Sequence, residues 1–253
     1  MAAGGYLSGV PSRSARSQLS AGPLGRTKTL DSKTVNAQIR SELRPFLKEL
    51  GFTRFTSRSA WRYDGSKVDV LNFQSFNAYN ASVMGCTTYS FAVNLGCYFA
   101  DIPYQYEESR IKEERGQLLP AEYECPFRGR LRRSFSQPKY LSREIWFIDP
   151  AGRYLEKAVH DVRIAIARVG VPWFGRLADP NEALRVLLEE DESMGELWGF
   201  GRNPSPIRHY LAGYFALKLG ENGLARQHLS EALASGCFKQ VAERIERDVQ
   251  RAA

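Results

Sequence analysis

From Phe91 to Phe99, the residues Phe91, Val93, Leu95, Cys97 and Phe99 take every second position, with Ala92, Asn94, Gly96 and Tyr98 between them. Successive side chains of an extended chain point to opposite faces, so this alternation predicts a strand with one buried face. Val68–Gln74 reads the same way and predicts its antiparallel partner. Shorter runs at Ala60–Tyr63, Pro126–Phe135 and Glu144–Ile148, with a turn at Asp64-Gly65, extend the pattern to a four- or five-stranded meander.

Helical periodicity brackets this sheet. Val35, Ile39, Leu43, Phe46, Leu47 and Leu50 recur at three- and four-residue spacing, Gly51 supplies a stop, and Pro45 is expected to kink or split the helix. Residues 101–125, with Glu107, Glu108, Glu113 and Glu114, read as a surface loop or a short exposed helix. Beyond Ala151, Leu155, Val159, Val162, Ile166 and Val169 form a stripe expected to end at Gly170, because Pro172 follows. Asp179 and Pro180 mark the start of another helix. Gly213, Gly220, Ala225, Ala232 and Leu233 are spaced as in one tetratricopeptide-like hairpin, which Phe238, Val241, Ile245 and Val249 would close.

The fold class is therefore α+β: an N-terminal helix on a four- to five-stranded antiparallel sheet, then a helical C-terminal region. Three parts are expected: a disordered basic tail at 1–30, an α+β unit at 31–175 and a helical region at 176–253. The tail carries Arg13, Arg16, Arg26 and Lys28 and no acid, so four of the seven excess positive charges lie there. The remainder is too nearly balanced to demand a nucleic-acid partner, and weak, non-specific contact through the tail is all the charge suggests. No apolar run of about 18 residues spans a membrane. Cys86, Cys97, Cys125 and Cys237 lack paired spacing, which suggests free thiols and a cytoplasmic setting.

Leu43–Phe52, Asn72-Phe73-Gln74, Val93-Asn94-Leu95-Gly96, Cys125 through Arg130 and Pro172-Trp173-Phe174 together resemble the bacterial family catalogued as domain of unknown function 4304. The resemblance covers roughly residues 35–190, and its matching positions are Asn72, Gln74, Asn94, Cys125, Arg128, Arg130, Trp173 and Phe174. It implies an α+β domain and brings no established reaction.

Chemistry has few candidates. Arg128, Arg130 and Arg132 alternate with Phe127, Gly129 and Leu131, so on a strand their guanidiniums share one face, suited to a phosphate, a carboxylate or an acidic surface. Asn72, Gln74, Asn94 and Tyr98 should add polar groups to that sheet. The same arginines could instead pair with acids of 107–124 or stack on Trp146. Asn94 could equally satisfy a bulge at Gly96.

Cys125, beside Arg128, is the one thiol whose neighbours could activate it, though a structural role is the simpler reading. Trp173 and Phe174 fit a plug between helices and sheet. The Gly-rich bend around Trp198 and Phe200 could be a hinge or a rigid linker. His160, His209 and His228 offer no obvious first shell, so no metal or other cofactor is expected. Phosphate-loop, dinucleotide and nucleophile-elbow motifs are absent. The function expected is binding without catalysis, with another protein as partner, through the Arg/Asn sheet face and the helical hairpin. Alternatives are an enzyme whose Arg128 and Arg130 hold an anionic substrate, with Cys125 or an acid of 107–124 reacting, and a toxin-neutralising or defence-associated accessory protein.

Overall fold

The structure, a computed structural model, describes residues 30–105, 111–136, 138–189 and 197–252. The basic tail up to residue 29 and the acids Glu107 and Glu108 lie outside the described residues.

Helix α1 spans Ser32–Glu49 and is capped by Asp31, whose carboxylate accepts from the Thr34 amide at 2.7 Å. Val35, Ile39, Leu43 and Leu47 form its buried stripe. Pro45 lies inside this one helix rather than splitting it. Pro45 and Ser41, whose carbonyl loses its helical donor, are both exposed, so water can replace the missing bond.

Strands β1 (Arg54–Phe55), β2 (Ser59–Asp64), β3 (Lys67–Ser75), β4 (Phe91–Phe99) and β7 (Phe127–Arg130) form one antiparallel sheet in the order β1-β2-β3-β4-β7. The β3–β4 ladder runs unbroken from Lys67↔Phe99 to Ser75↔Phe91, so Gly96 marks no bulge. Helix α2 (Ala78–Met84) links these two strands. The last strand is shorter than expected: it stops at Arg130, and Arg132 lies beyond it. Residues 144–148 contribute a single bridge, Phe91 and Trp146 exchanging backbone hydrogen bonds of 3.2 and 2.8 Å. Trp146 stacks on Phe91 and donates its indole N–H to Asp161, so it clamps no arginine of β7.

One sheet face packs on helices. Leu71, Phe73, Phe91, Val93 and Leu95 share a core with α1 and with α3 (Leu155–Ala165). Cys97, Phe99 and Phe127 share a second core with α5 (Pro180–Leu188), α6 (Pro206–Leu219), α7 (Asn222–Ala234) and α8 (Ala242–Arg251). The expected stop at Gly170 does not occur. The helix continues through a π turn at Ile166–Gly170 into α4 (Val171–Arg176), because Pro172 falls in the first turn of α4. Asp179 and Pro180 begin α5 as expected.

The opposite face is covered as well, and every residue of β4 is buried. Rather than forming an exposed loop, the chain after β4 crosses back as the hairpin β5 (Lys112–Glu114) and β6 (Gln117–Leu119), followed by a 3-10 turn at Glu122–Glu124. Ile111, Leu119 and Cys125 pack on Trp61, Val68, Val70 and Tyr98. Trp61 and Tyr63 anchor the cover by donating to the carbonyls of Pro120 and Leu118, at 2.8 and 2.9 Å. The acids that suggested a loop, Glu113 and Glu114, stay on its outer side.

Candidate binding face and cleft

β3, β4 and β7 place Asn72, Gln74, Asn94, Tyr98, Arg128 and Arg130 on the same sheet face, as Asn72↔Asn94↔Arg130 and Gly96↔Arg128 are register partners. The 3-10 turn then divides that face in two. It descends onto Gly96, where an added Cβ would lie 2.7 Å from Cys125 Sγ and 3.3 Å from the Glu122 Cα.

On one side of the turn is a polar network. Buried Asn94 accepts from Arg130 Nε at 2.7 Å and donates to Gln74 Oε1 at 2.9 Å, while Asn72 Nδ2 donates to Ser59 Oγ at 3.1 Å. Arg130 also meets Glu144 at 3.2 Å, and exposed Arg132 reaches the same carboxylate at 3.7 Å. The acid that pairs with Arg130 thus comes from the segment after β7, not from 107–124. Asn94 fixes the guanidinium, and Gln74 and Arg132 form the exposed rim.

On the other side, Arg128 Nε donates to the buried Glu122 at 2.7 Å. Tyr98 and Arg128 there line a cleft of about 770 Å³ between the sheet and the C-terminal helices. Tyr104, Tyr123, Glu124 and Cys125 are among the residues of the sheet-side wall, and Ile207, Tyr210, Leu211 and Gln240 line the helical side. Burial pushes the Tyr98 phenol up to about 12 and raises that of Tyr210 further, so both stay protonated near neutrality and act as hydrogen-bonding groups. Tyr210 donates to the Pro103 carbonyl at 2.8 Å and Arg244 to that of Tyr104 at 2.6 Å, which holds the rim.

Cys125 is not an activated thiol. Burial first, then Cys97 and the carboxylates of Glu122 and Glu124, drive its pKa well above the ordinary thiol value, outweighing Arg128. Its Sγ lies 3.5 Å from the Ala121 carbonyl.

Other residues of the sequence pattern serve architecture. Phe174 is fully buried and lies edge-on to Phe52, with ring centroids 6.1 Å apart. Trp173 seats on Gly129, where a Cβ would come within 3.0 Å of the indole. The bend at Trp198 is tied to the sheet edge, since Trp198 and Arg128 exchange backbone hydrogen bonds of 2.7 and 2.9 Å.

Two clusters escaped the sequence reading. Asp69, 1% exposed, binds Lys67 at 2.5 Å and Arg62 at 2.6 Å on the helical face. Alternation alone hides it, because Lys67 and Asp69 occupy positions of the same parity as Leu71 and Phe73. The second cluster brings together two histidines that the sequence reading did not connect. His209 and His228 meet across α6 and α7, with Nδ1 atoms 2.9 Å apart, beside Glu231. The available signal was the His-x-x-Glu spacing at 228–231, which places both side chains on one helix face.

No helix among the described residues is long and apolar enough to cross a membrane. No curated protein and no solved structure matches the chain. A family match covers residues 43–176, narrower than the span expected from the motifs, and takes in the C-terminal part of α1, the whole sheet, its cover and α4. Asn72, Gln74, Asn94, Arg128, Arg130, Gly129 and Trp173 all lie within it, and as more than half of the sequence matches, the chain belongs to the family described as Domain of unknown function (DUF4304).

Proposed function

We propose that this protein is a non-catalytic, cytoplasmic binding module that takes an extended segment of a partner protein into the cleft between its sheet and its C-terminal helices. The observation that carries this reading is the cleft itself, about 770 Å³ and walled by residues of β4, β7 and α6 together. Tyr98, Tyr123 and the Gln240 amide supply hydrogen-bonding groups for a peptide backbone, and Ile102, Ile207 and Leu211 supply apolar contact. The Arg130–Asn94 network offers a second polar patch on the same sheet face.

An enzymatic reading has less support. Arg128 and Arg130 already face carboxylates, the Cys125 thiol is held protonated, and no histidine lines the cleft among the described residues.

A displayed library of random peptides, selected on the immobilised full chain, tests the proposal. Enriched peptides should lose at least about tenfold in affinity, or 1.4 kcal/mol, for both Tyr123→Ala and Ile207→Trp. The peptides should also be recovered chemically unchanged. Binding that ignores both substitutions, or no enrichment at all, would refute the cleft as the binding surface, and a modified peptide would refute the non-catalytic reading.

A further inference from the structure

His209 lies on α6 and His228 and Glu231 lie one turn apart on α7, the second helix of the hairpin. The two helices approach closely because Gly213 faces Leu229, where a Cβ would come within 2.6 Å of the leucine Cγ. That contact brings three lone-pair atoms to one point. His209 Nδ1 is 2.9 Å from His228 Nδ1 and 2.7 Å from Glu231 Oε2, and His228 Nδ1 is 3.8 Å from that same oxygen.

We propose that His209, His228 and Glu231 form a binding site for a divalent transition-metal ion of the zinc class. Tetrahedral zinc with bonds of 2.0–2.1 Å sets its ligand atoms about 3.3 Å apart, so shifts of a few tenths of an ångström convert this triangle into three ligands. Without an ion, the triangle has to be held by protons. Two Nδ1–H groups facing each other would repel, so one proton on His209 would have to serve both the carboxylate and the other imidazole. A cation replaces that shared proton with three bonds.

The surroundings suit an ion. Gln227 Nε2 donates to Glu231 Oε1 at 3.2 Å, which orients the carboxylate and leaves Oε2 turned to the histidines. The histidine side chains are 22% and 12% exposed and that of Glu231 is 42% exposed, so solvent can reach a fourth position. Two imidazoles and one carboxylate favour zinc, copper or nickel over magnesium or calcium. The site lies outside the family match and is independent of the cleft.

Titration of chelator-treated, tag-free full chain with Co²⁺, read by visible absorption, and with Zn²⁺, read by calorimetry, tests the site. One equivalent should bind with a tetrahedral or five-coordinate cobalt spectrum, and Zn²⁺ should raise the melting temperature. His209→Ala and His228→Ala should each weaken binding by at least about 100-fold, and Gln227→Ala by about tenfold. Cys237→Ser should change nothing. Circular dichroism of the metal-free variants separates loss of ligands from loss of fold, and His209→Gln provides a second variant of similar size. The proposal fails if the wild type binds no stoichiometric metal, if folded histidine variants bind as the wild type does, or if Cys237→Ser abolishes binding.

Discussion

At the scale of single residues, the chain places two small or charged groups where neighbours allow no substitute. Gly96 carries the covering segment on its bare Cα, so Gly96→Val drives a branched side chain into Cys125 and the backbone of Glu122. The expected cost is about 1–3 kcal/mol. It should be accompanied by faster alkylation of the now uncovered Cys125, so thiol labelling and urea unfolding together check the prediction. Asp69 is the anion between Lys67 and Arg62, and Asp69→Asn leaves a lysine 6% exposed without its counter-charge. Removing one partner of a buried ion pair costs about 3–5 kcal/mol. Chemical denaturation that finds less than about 1 kcal/mol would mean that water reaches Lys67.

At the scale of elements, the decisive contacts join one helix to the next. Gly213→Val should separate α6 from α7 and cost about 2 kcal/mol or more, and Leu229→Ala added to it should restore part of that loss. A double-mutant cycle with no coupling would show that the hairpin does not depend on this approach. The α4–α5 junction has an electrostatic counterpart. Hydrogen bonds from Arg185 and then Arg176 hold the Glu182 carboxyl down to about 2, against an ordinary 4.5. Because the folded-state pKa is depressed, this contribution is present in full above the unfolded value and fades as pH falls from about 4.5 toward 2. Glu182→Gln should therefore flatten the stability profile in that acid window. The effect should be below about 1 kcal/mol, because the carboxylate is partly exposed and screened by solvent. Melting curves recorded from pH 6 to 2 for both proteins check the sign.

At the scale of the whole molecule, sheet and C-terminal helices share side chains. Phe99 and Phe127 both meet Phe215 of α6, with ring centroids 4.9 and 5.8 Å apart. Far-ultraviolet and near-ultraviolet transitions on heating should therefore coincide, and two separated transitions would mean that the helices melt apart from the sheet. The sequence by itself determined the first helix, the pairing of β3 with β4, the helix start at Asp179, and the presence of Asn72, Gln74, Asn94 and Arg130 on one sheet. Each follows from local periodicity or from a capping residue, which act over a few positions. Only the tertiary structure decided that the second sheet face is covered, that the 3-10 turn divides the arginines between a polar network and a cleft, and that His209 meets His228. Those outcomes depend on contacts between segments distant in sequence. Alternation assigns a side chain to a face, but it carries no information about which later stretch of chain will come to rest on that face.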